Sequence, residues 1–93
     1  MDLTKWLLER TARFPKRLRH SLTVRVETVT LAVLEDITTA SWSADARPAL
    51  RNASDGLNRL QVLIRLCHEL QLLSHDQYEH ASTAIAAAGR QVG

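Results

Sequence analysis

The chain has 93 residues, 12 Lys or Arg against 10 Asp or Glu, three Gly, two Pro and one Cys. So few turn formers argue against a turn-rich β fold and against disorder, and a lone Cys excludes an internal disulfide. No run approaches the roughly 20 apolar residues that cross a bilayer, and nothing near Met1 reads as a signal peptide. The formal charge is +2 but it is unevenly spread. Lys5, Arg10, Arg13, Lys16, Arg17, Arg19 and Arg25 face only Asp2 and Glu9 in the first part of the chain, whereas Glu27, Glu35, Asp36 and Asp45 then follow with no cation among them. The expectation is a cytoplasmic chain with one basic and one acidic end.

The first helix is expected over residues 3–13, with Asp2 as its N-cap and Leu3, Trp6, Leu7 and Arg10 at helical spacing. Pro15 ends it, since the residue before a proline avoids the α region, and is placed as the first residue of the next helix. That second helix is expected over 15–40. Leu18, Leu22, Val26, Val29, Val33 and Ile37 step by three and four and form its core stripe. Val24, Leu31, Leu34 and Thr38 form a second stripe on the opposite side. The many β-branched residues are poor helix formers alone, so packing must override propensity.

The third helix is expected over 45–73, capped by Ser43 or Asp45, with Pro48 tolerated in its first turn. Leu50, Ala53, Leu57, Leu60, Ile64 and Cys67 make its core face, and Val62, Leu66, Leu70 and Leu73 widen it. Gly56 reads as tolerated inside the helix rather than as a point of close approach. Trp42, in the corner before this helix, reads as a packing plug. Ser74-His75-Asp76-Gln77 is a capping box flanked by Leu73 and Tyr78, and it opens a fourth helix over 75–90 that Gly89 or Gly93 ends. The whole is expected to be one all-α domain over residues 1–93, an antiparallel up-down four-helix bundle. Apolar flanks on both sides of the two middle helices exceed what one bundle buries, so Val24, Leu31, Leu34, Val62 and Leu66 are assigned to an oligomer interface.

No chemistry is legible. No Glu-x-x-His pair for a di-metal site and no zinc-type Cys/His spacing occurs. No glycine-rich phosphate loop occurs either. Cys67 lies on the core stripe and reads as an interior residue, and His68 as a hydrogen-bonded interior or interface residue. No metal, cofactor or enzyme activity is expected. The remaining candidate is the basic corner around Phe14-Pro15, where Arg10, Arg13, Lys16, Arg17, Arg19 and Arg25 can release counterions from a nucleic-acid backbone. The competing reading is a solvated helix end ion-paired to Glu9 or Glu27.

Several segments carry a resemblance across almost the whole chain: Trp6-Leu7-Leu8-Glu9-Arg10, Phe14-Pro15-Lys16, Leu22 to Glu27, Leu31 to Glu35, Leu60 to Leu66, and Leu72-Leu73-Ser74 with Tyr78. The chain resembles the accessory variability determinant (Avd) of diversity-generating retroelements, within the four-helix proteins of 23S ribosomal RNA intervening sequences. The resemblance implies a homopentameric barrel, encoded by a bacterium or phage, that binds a reverse transcriptase and template RNA or DNA without catalysing a reaction. The matching contact residues are Arg13, Lys16, Arg17 and Arg25, plus Arg65. Two other readings share the fold: an intervening-sequence scaffold with no reverse-transcriptase partner, and a plain protein-interaction module.

Overall fold

The computed structural model describes residues 2–92. It is all-helical among those residues: α1 (Asp2–Thr11), α2 (Val24–Trp42), α3 (Arg47–Glu69) and α4 (His75–Val92). A 3-10 turn (Lys16–Leu18) and a π turn (Arg19–Thr23) lead into α2. Each helix packs on its neighbours around the bundle, α1 on α2 and α4, α2 on α3, and α3 on α4. The four-helix bundle expected from the apolar stripes is what forms, with extents of 42 × 24 × 19 Å. The interior holds Leu3 and Leu7 from α1, and Leu22, Val26, Val29 and Val33 from the second segment. Leu57, Leu60, Ile64 and Cys67 come from α3, with Leu73, Ala81 and Ile85 completing it. Each such large aliphatic side chain contributes roughly 1.5–3 kcal/mol on burial.

Several element boundaries depart from expectation, beginning with α1, which ends at Thr11 rather than at residue 13. The second helix does not start at Pro15. Pro15 is extended (ψ 143°) and caps the 3-10 turn, which the Leu18 amide closes by donating to the Pro15 carbonyl at 3.0 Å. The π turn then takes up an extra residue before the α-helical stripe begins. At the other end α2 runs on through Trp42, where the Ser43 hydroxyl donates to the Thr39 carbonyl at 2.7 Å. The cap of α3 is Ala46, with no side-chain bond; Asp45 instead accepts the Arg47 amide at 3.1 Å and pairs with its guanidinium at 3.0 Å. Pro48 lies in the first turn as expected.

The third helix stops four residues early, at Glu69. Gln71 takes a left-handed conformation (φ 63°). The Leu72 amide donates to the Cys67 carbonyl at 2.9 Å and the Gln71 amide to the His68 carbonyl at 3.0 Å. Those two bonds make a Schellman C-cap. Leu73 is therefore not part of α3. It is buried next to the capping box, which forms as expected: Gln77 N–H donates to Ser74 Oγ at 3.1 Å and Ser74 N–H to Gln77 Oε1 at 2.9 Å. Gly89 does not end α4, which continues to Val92; Gly93 and residue 1 lie outside the described residues. Asp2 is the first residue of α1 rather than the residue before it.

Gly56 marks close approach, contrary to the tolerance expected. A Cβ built there meets Val33 Cγ2 at 2.6 Å. That contact sets the distance and the register between α2 and α3. Thr30, fully buried in α2, satisfies its hydroxyl by donating to the Val26 carbonyl at 2.7 Å. Buried Thr11 donates to Glu27 Oε2 at 2.7 Å and so ties α1 to α2.

Candidate nucleic-acid and partner interface

The corner between α1 and α2 owes its shape to Pro15 and to the two irregular turns after it. These turns put Arg13, Lys16, Arg17 and Arg19 on one exposed bend. Lys16 and Arg19 line a cleft of about 240 Å³ together with Phe14, Pro15, Thr11, Thr23 and Glu27. Among the described residues the ion pairs are Asp45–Arg47, Arg65–Glu69 and His75–Glu79. None uses a cation of this corner, and Glu27 is engaged by Thr11 instead. The corner therefore presents its charge to solvent, as a polyanion-contacting surface requires.

Thr23 belongs to the same cleft. Its Oγ1 is buried without a partner, whereas Thr30 and Thr38 donate to the carbonyls four residues back at 2.7 and 2.8 Å. The π turn displaces the carbonyl that an α-helix offers such a hydroxyl. Nothing in the sequence pattern signals this turn, so the cleft was not legible there.

The other two basic candidates lie elsewhere. Arg25 lines the groove between α2 and α3 with Arg59, Asp36, Asn52 and Asp55. Arg65 sits on exposed α3 and holds Glu69 at 3.3 Å across one helical turn. The structure thus splits the six assigned cations into a corner group of four and two residues on the α2 and α3 faces. Arg59, beside Arg25, was missed by sequence reasoning; its place in α3 gives no motif that picks it out.

The apolar residues assigned to an interface are largely uncovered. Val24 is 46 %, Leu31 42 %, Val62 69 % and Leu66 41 % exposed, while Leu34 is half-buried. Leu70 and Trp42 join them, and Trp42 at 73 % exposure is not the packing plug expected. The tryptophan that packs is Trp6, half-buried, with its ring 4.8 Å from that of His80 and the Arg10 guanidinium 5.9 Å from its centre.

No constellation for catalysis comes together among the described residues. Cys67 is fully buried, and burial pushes its thiol up to about 11, so it stays protonated and unreactive near neutrality. His68 stacks on Tyr78, with ring centres 4.4 Å apart, rather than making the hydrogen bond expected of it. Among the described residues no group of three or more His, Cys, Asp or Glu is placed to hold a metal ion. Among the described residues no helix is long and apolar enough to cross a membrane.

No curated protein and no solved structure matches the chain. A family comparison does, and it spans residues 1–93 under the description bAvd-like. The match covers every element described above, from α1 through α4. The chain belongs to the bAvd-like family of accessory variability determinants.

Proposed function

We propose that this chain is a non-catalytic accessory subunit of a diversity-generating retroelement. In this reading it forms a homo-oligomer, a pentameric barrel by family resemblance. The assembly binds the reverse transcriptase and its template RNA or DNA during mutagenic complementary-DNA synthesis and retrohoming. The whole-chain family match carries the reading. Two features support it. Arg13, Lys16, Arg17 and Arg19 stand exposed and free of ion pairs among the described residues, and Arg25 and Arg65 extend the basic surface onto α2 and α3. The stripe of Val24, Leu31, Leu34, Val62 and Leu66 supplies the surface on which subunits assemble.

Phosphate contacts release condensed counterions, so affinity for a template RNA should fall by an order of magnitude or more between about 50 and 200 mM salt. Fluorescence anisotropy with labelled RNA measures this. The double change Lys16→Gln and Arg17→Gln should weaken binding and reduce the salt slope by about 2, with an unchanged circular-dichroism spectrum. Unaltered affinity in that variant removes the corner from the interface. Co-purification with the reverse transcriptase tests the second partner. An oligomer that does not retain the enzyme is the intervening-sequence scaffold instead.

A further inference from the structure

The cleft in the α1–α2 corner contains a carboxylate that a surface built for phosphates alone would leave out. Lys16, Arg19 and Glu27 all line it. Among the described residues no ion pair joins either cation to that carboxylate. Glu27 is nonetheless held in place. Its Oε2 accepts the hydroxyl of buried Thr11 at 2.7 Å, which ties the side chain to α1. Its Oε1 has no protein donor among the described residues. Thr23 stands one turn before Glu27 in the same cleft, and its hydroxyl also lacks a partner. Phe14 and Pro15 add apolar surface.

Each part of this set restricts the ligand. Two unpaired cations attract a phosphate. An oriented carboxylate repels one, so it suits a phosphate-bearing ligand only where that ligand also brings it a hydrogen-bond donor. The cleft, at about 240 Å³, is smaller than the roughly 300–1,000 Å³ of sites that enclose a whole small molecule. It fits a piece of a longer chain, a sugar with its phosphate, better than a free nucleotide. Ribose supplies the donor. Its 2′-hydroxyl stands on the carbon next to the one that bears the 3′-phosphate, and deoxyribose lacks it. Base amines are donors too, but a sugar ring and a glycosidic bond separate them from the phosphate.

We infer that this cleft is a ribose-phosphate subsite and the place where the protein tells RNA from DNA. Lys16 and Arg19 hold the phosphate, and Oε1 of Glu27 accepts the hydrogen bond of the 2′-hydroxyl. Thr11 is a positioning residue that aims the carboxylate, and Phe14 with Pro15 offers the carbon face of the sugar an apolar wall. The inference rests on the nucleic-acid reading above and adds which nucleic acid the corner selects, and by which atom. The competing account is a carboxylate that only offsets the neighbouring positive charge. The two differ in what its removal does. Loss of a charge-balancing group strengthens RNA and DNA binding alike, whereas loss of a hydroxyl acceptor removes the preference for RNA.

Fluorescence anisotropy with three short single strands tests it, all of one sequence made from A and C alone. They are RNA, DNA and 2′-O-methyl RNA, which keeps the sugar oxygen but has no proton to donate. RNA should bind about tenfold tighter than either of the others, as one hydrogen bond to a charged acceptor provides. Glu27→Met removes the acceptor, and the Thr11 hydroxyl keeps the Leu8 carbonyl at 3.2 Å as its own partner. In that variant the RNA advantage should fall below about twofold, while DNA affinity holds or rises because a negative charge is gone. Equal affinity of the parent for RNA and DNA overturns the inference. So does an RNA advantage that 2′-O-methyl RNA shares or that survives in Glu27→Met. A parent that binds none of the strands fails the nucleic-acid reading rather than the choice between sugars. A melting curve checks that the variant folds. Glu27→Gln, which keeps an oxygen for Thr11 and turns an amide donor toward the cleft, repeats the comparison should the methionine variant not fold.

Discussion

Gly56 and Val33 set the spacing of the two longest helices, and the consequence is testable at the level of a single atom. Alanine is the better helix former by roughly 1 kcal/mol, so Gly56→Ala should stabilise an open helix. Here the added methyl meets Val33 Cγ2 at 2.6 Å. Val33 is fully buried and β-branched, so it has little room to turn aside. Gly56→Ala should therefore destabilise by about 1–3 kcal/mol in a urea titration. Removing the obstacle with Val33→Ala should make the second change cost less than it does in the parent, a coupling that a double-mutant cycle measures. Periodicity showed Gly56 inside a helix, but a glycine's function depends on what stands opposite, and that partner lies 23 residues away in the chain. Trp42 was misjudged for a related reason. Size alone favours burial, but Trp42 lies nine residues from buried Val33, half a turn round the helix, so it faces away from the core.

At the scale of elements, the stripes of α2 and α3 were legible because their spacing repeats over several turns. Every core residue named for α3 from Ala53 to Cys67 is buried. The ends were less legible. Ser74 and Gln77 announce α4 through complementary side chains, whereas the end of α3 is made by backbone bonds around a left-handed Gln71. The usual glycine signal is missing at that position. A non-glycine residue there carries a cost of about 1 kcal/mol. Gln71→Gly should thus raise stability by up to about that amount, read from the shift in denaturation midpoint; a loss of stability contradicts the cap assignment. The start of α2 was misread in the same way. Pro15 was recognised as a corner, but the 3-10 and π turns that follow have no side-chain signature. They build the cleft that holds Lys16, Arg19 and the unpartnered Thr23 hydroxyl.

For the molecule as a whole, the unequal helices matter most. At 1.5 Å per residue, α1 spans about 15 Å and α3 about 35 Å, so α1 cannot cover the full length of its neighbours. The surplus apolar surface was legible from the two-sided stripes, and the exposed Val24, Leu31, Val62 and Leu66 agree with it. The basic corner was legible as composition but not as geometry. Chain order grouped Arg25 with the corner, whereas helical phase turns it toward Arg59 in the α2–α3 groove.

Trp42 gives the molecule an optical consequence. Its indole stands 73 % exposed, while Trp6 is half-buried between Arg10 and His80. In water the Trp42 ring emits at long wavelength, and any neighbour that settles over it shifts that emission toward the blue. Dilution of the protein should therefore red-shift its intrinsic fluorescence, and Trp42→Phe should abolish the shift while leaving the Trp6 signal in place. A spectrum that does not change with concentration, in a protein that does assemble, would leave this end of α2 facing water in the assembly.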